Sequence, residues 1–390
     1  MRSPQSWTGT LRSCLAVLFA GIVLFPLATA QKTTPAALPP GSWRFIASGD
    51  SRNCGDVVMP AIAAHSAQFA PNFYWHLGDL RAIYKIDEDM AFAAANNGQV
   101  LTCDNYQRLA WDDFVSNQVA AFGDVPFYVG IGNHEIILPK TKEAFRRQFY
   151  DWLDQPPLQK QRAADTELSQ PETYYHWIQG GVDFLYLDNS GNTFPDEELT
   201  WLDHRLASAK SDAGIKSLVV GMHEALPYSL ASSHSMGDTE AGRASGERAY
   251  KALLNFREQT TKPVYVLSSH SHFYMENIFD TSKLKENGAK PLSGWIVGTG
   301  GAVRYKLPDG VNPSPLAKTD VYGYLVGTVS REGKIQFSFQ EVQEPDVPEQ
   351  VRQRYPRTLV PWCFAHNSQN ADPDAGDITP RCTPPQAAGH

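Results

Sequence analysis

Positive charge is scarce in this sequence: 34 Lys and Arg face 42 Asp and Glu, a formal net charge of −8 over 390 residues. Residues 1–30 hold two arginines and no acids, so without them the balance is −8 − 2 = −10. A chain of that sign does not attract nucleic acid through its overall field, and no nucleic-acid partner is expected. The balance does not argue against an anionic substrate, because metal ions can supply local positive charge. A membrane-spanning apolar run is also missing. The run at residues 15–27 is short of the roughly 20 residues that cross a bilayer. It follows Arg2 and Arg12 and leads into Ala28-Thr29-Ala30, a small-residue cleavage pattern. Residues 1–30 therefore read as a signal peptide removed before Gln31, which makes the mature protein periplasmic or secreted, with no stable membrane anchor.

No internal repeat is visible, and no C-x-x-C spacing occurs among the five cysteines. Thiolate metal ligation is therefore the weaker reading. Removing Cys14 with the signal peptide leaves Cys54, Cys103, Cys363 and Cys382, an even number that suggests two disulfides in an exported chain. Of the three possible pairings, the expected one is Cys54–Cys103, bracing two loops, with Cys363–Cys382 stapling the tail.

What is present is apolar material for a core, 42% hydrophobic and 11% aromatic residues, organised as short strands. Five apolar runs end on a metal-ligating residue type. Trp43-Arg44-Phe45-Ile46-Ala47-Ser48-Gly49 ends at Asp50, and Phe73-Tyr74-Trp75-His76-Leu77-Gly78 ends at Asp79. Val125-Pro126-Phe127-Tyr128-Val129-Gly130-Ile131-Gly132 delivers Asn133-His134-Glu135. Ser217-Leu218-Val219-Val220-Gly221-Met222 ends at His223, and Pro263-Val264-Tyr265-Val266-Leu267-Ser268-Ser269 ends at His270-Ser271-His272. In α/β sheets ligands bind outside the carboxyl ends of the strands, so five such ends predict one site. His76, inside its strand, is read as packing or as a partner behind the ligands. His234 and Arg243 fall in a polar loop, and Arg304 follows a glycine-rich strand end, from which it could face the site.

Between these strands the spacing predicts helices over residues 60–70, from Asn105 to about 121, over 140–153, from Pro195, and over 242–257. A hairpin over 174–188 would turn at Gly180-Gly181, and a second would turn at residues 330–333. Mixed helix and strand order followed by strands suggests two packed sheets flanked by helices. Residues 31–342 read as the main domain, which carries the site. Residues 343–390 read as a Pro-rich, irregular, disulfide-pinned tail.

Taken in order, Asp50, Gly78-Asp79, Gly132-Asn133-His134-Glu135, His223 and His270-Ser271-His272 resemble the calcineurin-like metallophosphoesterase superfamily, nearest to its purple acid phosphatase-like branch. The resemblance spans roughly residues 43–305. It implies a four-layer α/β/β/α sandwich and two divalent or trivalent metal ions, iron, zinc or manganese. One would be held by Asp50, Asp79 and His272, the other by Asp79, Asn133, His223 and His270. Asp79 would bridge them, so that two cations about 3.5–4 Å apart clamp the attacking and leaving oxygens. A metal-bound hydroxide would attack the phosphorus of a small phosphomonoester in line; the alternatives are a phosphodiester or nucleotide substrate, or a degenerate binding module. His134 would protonate the leaving oxygen or hold the phosphoryl group. The pattern departs at Arg52, where the superfamily has a histidine, and arginine has no lone pair to give a metal. Arg52, Asn133 and His134 are then the expected substrate contacts. The tyrosine found in the purple acid phosphatases three residues after the second aspartate is Ala82 here, with Tyr84 two residues further on.

Overall fold

The computed structural model describes residues 37–382 except 166–167, 232–233, 373–374 and 376–377. The signal-peptide reading of residues 1–30 therefore lies outside the described residues. Among those described, no helix is long and apolar enough to cross a membrane.

The first half of the chain alternates strand and helix. It runs β1 (Trp43–Ser48), α1 (Gly55–Ser66), β2 (Tyr74–His76), α2 (Glu88–Asn96), α3 (Cys103–Asn117) and β3 (Phe127–Val129), then short helices α4 (Lys142–Gln148), α5 (Tyr150–Leu153) and α6 (Pro156–Ala164). The second half continues β4 (Tyr175–Gln179), β5 (Val182–Leu187), α7 (Asp196–Ser211), β6 (Ser217–Met222), α8 (Glu240–Gln259), β7 (Val264–Ser268), β8 (Tyr274–Glu276) and β9 (Ser293–Val297). It closes with β10 (Ala317–Lys318), β11 (Tyr322–Val329), β12 (Ile335–Val342), α9 (Glu349–Arg354) and α10 (Leu359–Ala365).

The strands form two mixed sheets, ordered β12-β11-β1-β2-β3 and β10-β8-β9-β7-β6-β5-β4. Parallel pairing joins β1, β2 and β3, with Ile46 opposite Tyr74 and Tyr74 opposite Phe127. In the second sheet β5, β6, β7 and β9 are parallel. Side chains alternate along a strand, so each strand serves two layers. In the second sheet, Phe184, Tyr186, Val219 and Leu267 join the cluster between the sheets. Their neighbours Leu185, Leu187, Val220 and Val266 join the cluster that also contains Leu199, Trp201 and Leu202 of α7 and Leu253 and Phe256 of α8. The inter-sheet layer is aromatic. Tyr128 stacks on Trp177 at 3.9 Å, and Phe73 and Trp75 meet Phe184 and Trp177 edge-on at 5.1 and 5.2 Å. Two mixed sheets with helices outside is the architecture expected from the sequence.

Several boundaries differ. Helix α1 begins five residues before Pro60, where the apolar spacing had placed its start, and carries Pro60 inside it. Helix α3 is capped by Thr102, whose hydroxyl accepts the Asn105 N–H at 3.4 Å, rather than by Asn105 itself. The expected single helix over 140–153 is broken at Phe149 into α4 and α5. The tail is less irregular than its prolines suggest, since it carries α9 and α10 and contributes Val351, Tyr355 and Leu359 to the core.

The disulfide expectation is corrected. Cys54 pairs with Cys363 (Cα–Cα 5.9 Å) and Cys103 with Cys382 (5.1 Å). The tail folds back along α1, where the Tyr355 hydroxyl donates to Asp56 at 2.7 Å, and this brings Cys363 to the loop before that helix. Nearness in sequence gave the wrong partners.

Residues 81–124 pack around one buried guanidinium. Arg81 donates to Asp89 at 3.0 Å, also bonds Asp56 and Asp113, and lies 3.7 Å from Asp87. Lys85 pairs with Glu88 beside it, and Tyr106 donates to Asp87 at 2.7 Å. Buried charges at this density persist only because each has a partner.

Candidate metal centre

The loops leaving β1, β2, β3, β6 and β7 meet at one edge of the two sheets. Backbone bonds lock them together there. Asp50 N–H reaches Gly78 O at 3.0 Å, Ser51 N–H reaches Asp79 O at 3.0 Å, and Gly49 N–H crosses to Val297 O of the second sheet at 3.0 Å. Asp50, Asp79 and His270 all have left-handed backbone, with φ of 59°, 60° and 64°. Such residues are held there by their surroundings at a cost of order 1–3 kcal/mol each, and they concentrate at functional sites. Gly132 allows the closest approach, for a Cβ there would lie 2.3 Å from Asp79 Oδ1 and 2.9 Å from His223 Cε1.

Two groups of ligand atoms result, buried except at the half-buried His270, and they share Asp79. The first is Asp50, Asp79 and His272; the second is Asp79, His223 and His270. In the second, His223 Nε2 lies 3.0 Å from Asn133 Oδ1, 3.0 Å from His270 Nδ1 and 3.2 Å from Asp79 Oδ1. His223 Nδ1 donates to Leu77 O at 3.0 Å, which makes Nε2 the nitrogen that a cation would use. A carboxylate oxygen, an amide oxygen and imidazole nitrogens thus converge where a cation would satisfy them together. In the first group, Asp50 Oδ1 and Asp79 Oδ2 are buried without a hydrogen-bond partner. Asp50 Oδ1 lies 3.3 Å from His272 Nε2. Orphaned carboxylate oxygens of this kind call for a cation. The second group's chemistry fits one cation of the plan implied by the sequence, while in the first group the Arg52 guanidinium already stands beside His272 and Asp79.

The charge pattern agrees. Burial opposes ionisation of Asp79, yet His134, His223 and the Arg52 guanidinium around it hold its carboxyl well below the usual range. Burial likewise opposes a charge on His223, but Asp79 and Asp50 raise it to about 10, so without a metal a proton sits on Nε2 between Asp79 Oδ1 and Asn133 Oδ1, the position a cation would take. Burial, then Arg52, push His134 down to about 3, so within the Asp79–His134 pair the carboxylate carries the charge and the imidazole is neutral. Behind the ligands, Asn189 Oδ1 accepts the N–H groups of His223 and Glu224 at 3.1 and 3.0 Å. The Ser269 hydroxyl donates to Leu77 O at 2.9 Å and sits 3.1 Å from His223 Nδ1.

His134 Nδ1 donates to Ala82 O at 2.6 Å, and its Nε2 lies 3.4 Å from Asp79 Oδ2. Arg52 is buried, with Nη2 2.9 Å from His272 Nε2 and Nε 3.8 Å from Asp79 Oδ2. All the residues expected at the site from the sequence, Asp50, Arg52, Asp79, Asn133, His134, His223, His270 and His272, therefore lie together. His76 is buried behind them and bonds Ser51 Oγ at 3.0 Å. His234 also comes close, its ring 5.4 Å from that of His270, whereas Arg243 lies not in the loop but exposed in the first turn of α8, where it donates to Gly237 O at 3.5 Å. Arg304 does not face the site. It turns to the tail, donating to Asn367 O at 3.0 Å and Phe364 O at 2.9 Å, because the tail carbonyls need donors.

The sequence reading missed the roles of Tyr305 and Glu135, while Tyr84, noted beside Ala82, does come near the site. Tyr305 lays its ring 3.9 Å from that of His272, and Tyr84 lies 5.4 Å from His134. Glu135 matters more. Its two oxygens accept the N–H groups of Asp79 at 2.9 Å, Leu80 at 2.9 Å and Gly132 at 2.8 Å. Burial and the charge of Asp79 push the Glu135 carboxyl up, while the backbone donors, which occupy both oxygens, favour its ionised form. It ties the loop after β2 to the loop after β3. The acid directly after Asn133-His134 was the available signal.

Comparison with known proteins agrees with this geometry. No curated protein matches the chain. Among solved structures it is similar to a purple acid phosphatase, PPD1, from yellow lupin (Lupinus luteus) seeds, with TM-score 0.54, 16% identity, and coverage of 78% of this chain and 53% of that one. It thus spans about half the length of the lupin protein. Similarity extends to PhoD (TM-score 0.46, 16% identity, 79% of this chain and 72% of that one) and to GAP50, the anchor in the inner membrane complex of Plasmodium (0.43, 13%, 81% and 95%). A profile of the calcineurin-like phosphoesterases matches residues 54–274, more than half of the sequence. With that match, which takes in Asp79, Asn133, His134, His223, His270 and His272, the chain belongs to the calcineurin-like phosphoesterase family.

Proposed function

We propose that this chain is an exported, metal-dependent hydrolase of small phosphomonoesters. The observation that carries the reading is the convergence of lone pairs on His223 Nε2, Asn133 Oδ1, His270 Nδ1 and Asp79 Oδ1, beside the orphaned oxygens of Asp50 and Asp79. A cation would be held by Asp79, Asn133, His223 and His270, with Asp50 and His272 lining the adjoining position. Iron, zinc and manganese all suit this mixture of imidazole, amide and carboxylate. When bound, metal supplies Lewis-acid polarisation of a phosphoryl oxygen and activation of water.

The chain's own residues do the rest. Arg52 presents a guanidinium to the phosphoryl oxygens, a geometry suited to phosphate. The neutral His134, with its Nδ1 proton committed to Ala82 O, offers Nε2 to take the proton that the attacking water releases and to pass it to the leaving oxygen. Such proton transfer contributes about 10²–10⁴-fold. The shared loop bonds keep these groups in register, which is the positional part of catalysis.

Paired chromogenic mono- and diesters, assayed on wild type, Asp79→Asn and Asn133→Ala, test the reading. The expected result is faster monoester hydrolysis, lost in both variants. Faster diester hydrolysis would move the assignment to a phosphodiesterase. Turnover unchanged in either variant would remove the site from the reaction.

A further inference from the structure

The first group of ligand atoms already has a cation against it. His272 donates Nδ1–H to Val303 O at 2.7 Å, so its single lone pair is on Nε2. That lone pair faces Arg52 Nη2 at 2.9 Å, well inside hydrogen-bonding distance. A guanidinium nitrogen has only donors to offer and stays protonated, so Nε2 must be the acceptor. One lone pair cannot serve a hydrogen bond and a coordinate bond together. The same guanidinium places Nε 3.8 Å from Asp79 Oδ2, the oxygen that would bridge two metals. A positive charge thus stands between His272 and Asp79. Among the described residues, no arginine or lysine is hydrogen-bonded or ion-paired to His223, His270 or Asn133.

We infer that the centre of this chain is mononuclear. One cation binds at Asp79, Asn133, His223 and His270, and the Arg52 guanidinium takes the place of the other as a fixed positive charge. Its fit there is built in. Arg52 is buried, and the Tyr305 ring packs on His272 behind it. The Arg52 Nε–H is buried and has no hydrogen-bond partner, so it remains available to a phosphoryl oxygen. The inference rests on the metal-hydrolase reading and sharpens it, because substrate charge would be met by one metal and one arginine.

The test is a count of cations that does not depend on activity. The full chain is stripped with chelator, reloaded with manganese(II), desalted, and analysed for metal per chain and by electron paramagnetic resonance. Wild type is expected to hold close to one manganese with the spectrum of an isolated ion. Arg52→His, which replaces the guanidinium with a lone-pair donor, is expected to hold close to two with a spin-coupled spectrum. Two coupled ions in wild type would overturn the inference while leaving the hydrolase reading intact. No bound metal, together with no hydrolysis of any phosphoester, would overturn both. If Arg52→His does not fold, the wild-type count still decides, and Arg52→Gln supplies the second variant, with increased manganese uptake expected and none counting against the inference.

Discussion

Replacing Glu135 with glutamine changes one atom type and should disturb both stability and the metal centre. The carboxylate takes three backbone N–H groups on two oxygens, those of Asp79 and Gly132 on Oε2 and that of Leu80 on Oε1. Glutamine has one acceptor oxygen. Placed on the Oε2 side it keeps two bonds and turns its NH₂ toward the Leu80 N–H, leaving one buried donor unmet and facing another donor. A buried unsatisfied group costs about 1–3 kcal/mol. The opposite orientation leaves two donors unmet, so the first orientation sets the expected loss at about 1–3 kcal/mol, a sizeable part of the roughly 5–15 kcal/mol that holds a domain folded. Glu135→Ala would orphan all three donors and is expected not to accumulate as folded protein. Because Glu135 joins the loops carrying Asp79 and Asn133, Glu135→Gln should also weaken metal binding by on the order of 10–100-fold, as loss of groups behind metal ligands does. Urea unfolding of the metal-free protein and calorimetric titration with manganese(II) read the two effects separately. Stability within about 0.5 kcal/mol of wild type, with unchanged metal affinity, would refute the bracing role.

Arg81→Met should cost about 3–5 kcal/mol, since it leaves Asp56, Asp89 and Asp113 buried around an absent cation; urea unfolding with no loss of stability would show that water already compensates these acids. The same cluster gives the protein a pH signature. Burial, then the charge of Asp56, raise Asp113 to about 7. A carboxyl raised in the folded state stabilises fully below its unfolded pKa, near 3.8, and that contribution is lost as pH rises through about 7. Thermal unfolding between pH 4 and 8 should therefore show a loss of stability on this limb that is shallower in Asp113→Asn, and identical slopes would contradict the assignment.

The site was legible in the sequence because its signal is local. An apolar run that stops at Asp50, Asp79, Asn133, His223 or His270 states both the strand and the atom it delivers, and parallel pairing of β1, β2 and β3 puts the ends side by side. The missing first histidine was equally plain as Arg52. What the guanidinium bonds to was not, since His272 lies 220 residues away. The Arg81 cluster was hidden for a related reason. Residues 81–124 contain many charges, and only contacts across 25 to 32 residues turn Arg81, Asp56 and Asp113 into an interior. Arg304 misled because a glycine-rich strand end says where a residue starts but not which carbonyls will claim it. Helix starts erred by a few residues where two polar residues, Thr102 and Asn105, could each serve as a cap.

The two disulfides interleave: Cys54 waits for Cys363 across 309 residues, and Cys103 waits for Cys382 across 279. During synthesis neither native bridge can close until the chain is nearly finished. Cys54 and Cys103 emerge first and for a long interval have only each other as partners. The earliest bond open to the nascent chain is thus a wrong one, and reaching the final pairing from it requires thiol exchange once the tail has arrived. In an oxidising compartment, maturation of this chain would therefore require that bond to be reshuffled, and oxidant supplied without exchange would leave chains in which Cys363 and Cys382 lack their native partners.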